Sequence, residues 1–159
     1  MRVTCMPTQA HSAQRKAPAN EATRVARLLA IDDANMLSEV DLARRVSSGL
    51  PSQSALGLSE ILGKKRVVGS IIPEASLRRA RNANKPLSRE LSERLFEIGR
   101  VVDALRLAYH GNQEAIDGFL HRPHALLEGD TPFEMATSSS AGAQAVLNLI
   151  RRAEAGVAV

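Results

Sequence analysis

The chain is expected to fold as an all-α protein, and three observations carry that expectation. Its 159 residues are rich in Ala, Leu and Arg, all good helix formers, with 3% aromatics and no Trp, so aliphatic side chains must fill the core. Aromatic runs of the kind that favour strands are few. Apolar residues instead recur at three- and four-residue spacing, above all Leu91, Leu95, Ile98, Val102 and Leu105, which makes one stripe along a helix. At 44% hydrophobic residues, the chain can bury the core of one or two small domains.

The elements follow in order. Residues 1–20 carry Pro7, Pro18, Gln, Ser and Ala without periodicity and read as a disordered tail. Val25, Leu28 and Leu29 place a first helix over 21–31. Ser38 caps a second, because Ser before Glu39, Val40 and Asp41 bonds orphan amides while the acids favour the positive helix end. Gly49 ends it and Pro51 prevents its return. Leu56, Leu58, Ile61 and Leu62 mark a short helix, after which Gly63 and Gly69 punctuate the chain. Pro73 suits the first position of the next helix, where its missing amide costs nothing.

Ser88 begins the longest helix, the central scaffold, which Tyr109, His110 and Gly111 end. Asn112 caps a helix that carries Ile116, Phe119 and Leu120 into the core and stops at Pro123. Thr131-Pro132-Phe133-Glu134 is a capping box with Pro at the first helical position. Ser140 starts a final helix through Val146, Leu149, Ile150 and Ala153, which stops at Gly156. An apolar terminus one turn beyond that helix, Val157-Ala158-Val159, must dock on the domain, fray, or enter a partner.

Composition narrows the function classes. No stretch approaches the roughly 20 apolar residues that span a bilayer, and Met1 to Asn20 lacks a secretory core, so a cytoplasmic protein without membrane contact is expected. The single cysteine, Cys5, supports neither a disulfide framework nor a thiolate metal site within one chain. Glycine-rich phosphate loops and nucleophile motifs are absent from the sequence. His110, His121 and His124 lie near Glu128 and Asp130, but Pro123 breaks the helix between them, and a capped helix end explains these residues better than a metal. No catalytic, metal-binding or cofactor-binding residue is assigned, and no enzyme is expected.

The net charge of +4 is unevenly placed, at +1 over residues 1–63, +6 over 64–106 and −3 over 107–159. A basic middle fits contact with phosphate, where Lys and Arg displace condensed counterions, or it is a solvated helix face. The acidic end would be repelled by the same nucleic acid, so the two halves look built for different partners. Glu74-Ala75-Ser76-Leu77-Arg78-Arg79-Ala80-Arg81, after several short helices, has the pattern of a helix-turn-helix with a recognition helix. Arg78, Arg79, Arg81 and Lys85 are the candidates for operator phosphates or guanine edges. Alternatively, Arg78 and Arg79 pair with Glu74, Glu90 or Glu93 within the fold.

Taken in order, Ser76-Leu77-Arg78-Arg79, Leu87-Ser88 with Ser92-Glu93-Arg94, Phe119-Leu120 with Pro123, Gly129-Asp130-Thr131-Pro132, Gly142 to Val146 and Gly156 resemble the Xre/MbcA/ParS antitoxin family over roughly residues 36–159. Phe119 stands where the family often has Trp, and Lys64 to Ile72 is longer and more glycine-punctuated than an ordinary helix-turn-helix turn. The resemblance implies an Xre-like helix-turn-helix bundle over 21–86 and a small helical toxin-binding domain over 87–159. It implies a type II antitoxin that neutralises a RES-domain toxin, an enzyme that degrades NAD or transfers ADP-ribose. Such antitoxins cover the toxin's NAD cleft with the last helix and tail, here Arg151, Arg152, Glu154, Gly156, Val157 and Val159. A cation-lined pyrophosphate cleft would accept a carboxylate from Glu154 or Val159. Autoregulation through operator DNA and a homodimer are further implied, since two half-sites need two-fold symmetry. The alternative is a helix-turn-helix transcription regulator whose C-terminal domain only dimerises.

Overall fold

The computed structural model describes residues 19–156, so most of the expected 1–20 tail, with Cys5, Pro7 and Pro18, lies outside the described residues, as do Val157 and Val159. The architecture is all-α. In chain order the helices are α1 Glu21–Leu28, α2 Glu39–Ser48, α3 Gln53–Leu62, α4 Lys64–Val67, α5 Glu74–Ala83, α6 Arg89–Ala108, α7 Gln113–His121, α8 Pro132–Ser138 and α9 Ser140–Glu154, with a 3-10 turn at Ala125–Leu127.

Local side-chain chemistry sets most of the starts. The Ser38 hydroxyl accepts from the Asp41 amide at 3.1 Å while the Asp41 carboxylate accepts from Ser38, which closes the expected capping box. Thr131 and Glu134 repeat the arrangement at α8. Asn20, Ser88 and Asn112 each accept an amide from the first turn of their helix. Hydrogen bonds from the Ser38 and Thr131 hydroxyls and amides hold the Asp41 and Glu134 carboxyls below the ordinary carboxylate range.

Two boundaries differ from the sequence reading. The first helix stops at Leu28 rather than residue 31, because Ala30 turns left-handed at φ 47° and the Ile31 amide folds back to the Ala26 carbonyl at 2.9 Å. Pro73 is the N-cap of α5, not its first helical residue, since its ψ of 132° is extended. Helix α9 starts at Ser140 as expected, with Ser139 as its cap, the Ser139 hydroxyl accepting from the Gly142 amide at 3.0 Å.

Helix α6 is the axis of the molecule. Leu95, Ile98, Val102 and Leu105 are buried as the stripe requires, with Leu91 partly covered. One side of α6 packs on α1 and α2 and another on α8 and α9. Gly99 allows the first contact: a Cβ there would lie 3.3 Å from Val25 Cγ1. The start of α6 is tied to the turn between α2 and α3 by two bonds. The Leu50 amide donates to the buried Ser92 hydroxyl at 2.8 Å, and the Leu87 amide donates to the Leu50 carbonyl at 2.9 Å. A single apolar cluster runs from Ala22 through α6 to Ile150. The loop at residues 84–88 precedes α6, and α6 packs against elements on both sides of it.

The α8–α9 pair is the tightest approach in the C-terminal part. A Cβ at Gly142 would fall 2.1 Å from the Met135 carbonyl oxygen, so only glycine permits this crossing. At the start of α9, Ser140 donates to Glu97 of α6. Burial pushes the Glu97 carboxyl above its ordinary range, and the nearby Glu93 adds to the shift against the opposing pull of Arg100 and Arg94.

Candidate functional site

The end of α9 is built to be presented rather than packed. Val146, Leu147, Leu149 and Ile150 are buried, which leaves the last turn, Arg151 to Gly156, exposed on every residue. Gly156 sits at φ 72° and its amide closes the helix on the Ala153 carbonyl at 3.1 Å, the left-handed stop that glycine makes at low cost. Among the described residues Arg151 has one marginal contact, Nη1 to Asn148 Oδ1 at 3.5 Å. Arg152 and Glu154 form no ion pair there. Arg151, Arg152, Glu154 and Gly156 thus share one exposed helix end, and Val157 and Val159 follow beyond the described residues.

Beside that end lies a groove that the sequence reading did not find. Tyr109 from the end of α6, Ala115, Gly118 and Phe119 along α7, Arg122 just after it, and Ala153 of α9 line it. Phe119 was expected in the core, yet it is only half-buried and leans on Tyr109 with ring centroids 6.1 Å apart. Ile116 and Leu120 are buried in the core as expected, because their side of α7 faces α6 and α8. The spacing of Ala115, Gly118, Phe119 and Arg122 was the available signal, and of these the sequence reading had assigned only Phe119, to the core.

The basic candidates lie elsewhere. Leu77 and Ala80 anchor α5, while Arg78, Arg79, Arg81 and Lys85 are all exposed. None of the four forms an ion pair among the described residues, and Glu93 is taken by Arg89 at 2.7 Å. The intramolecular pairing considered for Arg78 and Arg79 is therefore not the arrangement adopted. Arg78 and Arg81 are three residues apart and share a side of α5, with Arg79 a further 100° round. Lys85 follows the helix, its amide returning to the Ala80 carbonyl at 3.0 Å.

The histidines have local roles. His124 accepts from the Leu126 amide at 3.2 Å and caps the 3-10 turn. His121 bonds the Asp117 carbonyl at 2.9 Å and stacks on Phe133 at 5.4 Å. No group of three His, Cys, Asp or Glu comes together for a metal among the described residues, and none of their helices is long and apolar enough to cross a membrane.

Residues 102–156 match the family model of the antitoxin Xre/MbcA/ParS C-terminal toxin-binding domain. The match runs from the middle of α6 to the residue that closes α9, and so takes in the exposed helix end and the groove beside it. No curated protein matches the chain.

Proposed function

We propose that this chain, which carries the C-terminal toxin-binding domain of an Xre/MbcA/ParS-type antitoxin, neutralises a RES-domain toxin by covering its NAD cleft with the end of α9 and the segment after it. The toxin-binding domain supports an antitoxin role, and the exposed turn from Arg151 to Gly156 supports the place of contact. A cleft that takes the pyrophosphate of NAD presents cations, and Glu154 offers a carboxylate to them. Arg151 and Arg152 flank it as partners for acidic groups at the cleft rim. Gly156 ends the helix at φ 72°, and the apolar residues that follow it in sequence, Val157 to Val159, are assigned to the opening in this proposal. The chain itself acts by occupation and performs no chemistry, in the cytoplasm where NAD is held.

The N-terminal part, residues 21–86, is the DNA-reading half in this proposal. Four exposed cations on and after α5 that form no ion pair among the described residues, Arg78, Arg79, Arg81 and Lys85, support contact with operator phosphates and base edges. Operator reading asks for a homodimer. The broad groove between α1, α3 and α6 suits a second copy, because exposed Leu56 and Leu107 lie in it and its rim carries both signs, Arg27 and Arg106 with Asp32 and Glu60. The same cation cluster favours the second reading, a transcription regulator whose C-terminal domain serves only in assembly.

Co-expression with the protein encoded by the adjacent reading frame tests the proposal. A stable complex in which that protein's NAD turnover is silenced is the expected result. A chain that leaves the turnover untouched and binds only upstream DNA contradicts it and leaves the regulator.

A further inference from the structure

We infer that the groove along α7 is a second toxin-binding surface, distinct from the α9 end, that receives a segment of the toxin chain packed against Gly118. The inference rests on the toxin-binding reading of this domain and adds to it a contact that does not enter the NAD cleft.

Four glycines lie inside helices, and three have an internal reason. A Cβ at Gly57 would meet the Leu28 carbonyl oxygen at 2.4 Å, one at Gly142 the Met135 carbonyl oxygen at 2.1 Å, and one at Gly99 the Val25 side chain at 3.3 Å. Gly118 has none among the described residues: a Cβ there meets nothing within 4 Å of them. Glycine in mid-helix weakens a helix relative to alanine, and the fold gains no close packing in return. The open space in front of Gly118 is the groove, which Ala115, Phe119 and Ala153 also line. A mid-helix glycine facing outward lets another backbone approach α7 directly.

Charge selects the occupant. Arg122 stands at one end of the groove and Glu114 at the other, eight residues apart, which is about 12 Å along a helix. Neither forms an ion pair among the described residues. The segment that fits carries a carboxylate and a cation at that separation, with a small residue between them over Gly118. Every lining residue falls within the toxin-binding match at 102–156, and the groove is continuous with the α9 end through Ala153. Both facts make the toxin, rather than a second copy or DNA, its occupant.

The test is the affinity of the full chain for the adjacent-frame protein, measured for wild type, Gly118→Ala, Gly118→Gln, Arg122→Glu and a chain ending at Ala155. Because the Cβ meets nothing, Gly118→Ala is expected to melt at a higher temperature than wild type while binding at least threefold more weakly. Gly118→Gln is expected to lose at least tenfold with its melting temperature retained, and Arg122→Glu, remote from the core, a similar factor. Affinity within twofold of wild type for both Gly118→Gln and Arg122→Glu overturns the inference. Normal binding by the shortened chain together with loss in the α7 variants sustains the groove while removing the α9 contact. No binding by wild type removes both.

Discussion

Arg24 of α1 grips Asp103 of α6 through two nitrogens: Nε lies 3.0 and 3.1 Å from the two carboxylate oxygens and Nη2 lies 2.9 Å from one of them. The Asp103 side chain is 7% exposed, so this is the more buried of two ion pairs that tie α1 to the scaffold helix on which the toxin-binding match begins, the other joining Glu21 to Arg100. The remaining arginine nitrogen, Nη1, donates to the Ala19 carbonyl at 2.5 Å, fixing the entry of the chain into α1.

Removing one partner strands a buried charge or leaves unmet donors, the costly way to break such a pair. Asp103→Ala is expected to destabilise the protein by about 3 kcal/mol in denaturant unfolding. Arg24→Met, which leaves the carboxylate buried and unpaired, is expected to cost a comparable amount. A loss below about 0.5 kcal/mol for both would show that the bridge adds nothing beyond a surface pair.

Two changes at the α8–α9 crossing separate capping from packing. Thr131→Ala removes the N-cap of α8 and should cost about 1 kcal/mol. Gly142→Ala drives a methyl into the Met135 carbonyl and should cost about 3 kcal/mol, the upper end of overpacking. Equal small losses in thermal unfolding would mean that α8 and α9 separate without cost.

Glu97 gives the fold a pH response of definite sign. Its carboxyl titrates above the ordinary range because it is partly buried and lies near Glu93, so its contribution is present below the unfolded pKa and is lost as pH rises through the folded value. Asp41 and Glu134 run the other way, their lowered pKa values giving stability above the unfolded value that is lost as pH falls through the folded one. Glu97→Gln keeps an oxygen for Ser140 to bond and loses the charge. It should be more stable than wild type at neutral pH, with the difference vanishing on acidification. A gain that persists unchanged at low pH would assign the effect to something other than ionisation.

The α5 cluster is tested by salt. Each of Arg78→Ala, Arg79→Ala and Arg81→Ala that removes a phosphate contact should lower the slope of log affinity against log salt by about 1 on upstream DNA. A residue that reads a base instead should weaken binding mainly on the cognate sequence. Unchanged affinity and slope for all three would take DNA out of the account.

The helix caps were legible because their chemistry is local. Ser38 with Asp41, Thr131 with Glu134, and Asn112 each announce a start within four residues, and each is found bonded as the spacing requires. Pro73 misled by one position, since a fixed φ suits both the cap and the first helical residue and only ψ, at 132°, distinguishes them. The four residues of α4 and the three of the 3-10 turn are too short to show a period. The α7 groove was hidden for a different reason. Ala115, Gly118 and Phe119 carry the spacing of a core face, and only the docking of α7 on α6 and α8, through Ile116 and Leu120, turns that stripe outward. Exposure of Arg78, Arg79 and Arg81 likewise followed from which two α5 residues, Leu77 and Ala80, reach the core.

The central claim is that the end of α9 silences a toxin by filling its substrate cleft. Its most direct measurement is NAD turnover by the adjacent-frame protein in the presence of a saturating amount of this chain, either whole or ending at Ala155. The account predicts a silent enzyme with the whole chain and restored turnover with the shortened one, with the complex still recovered through the α7 groove. Full inhibition by the shortened chain would contradict it.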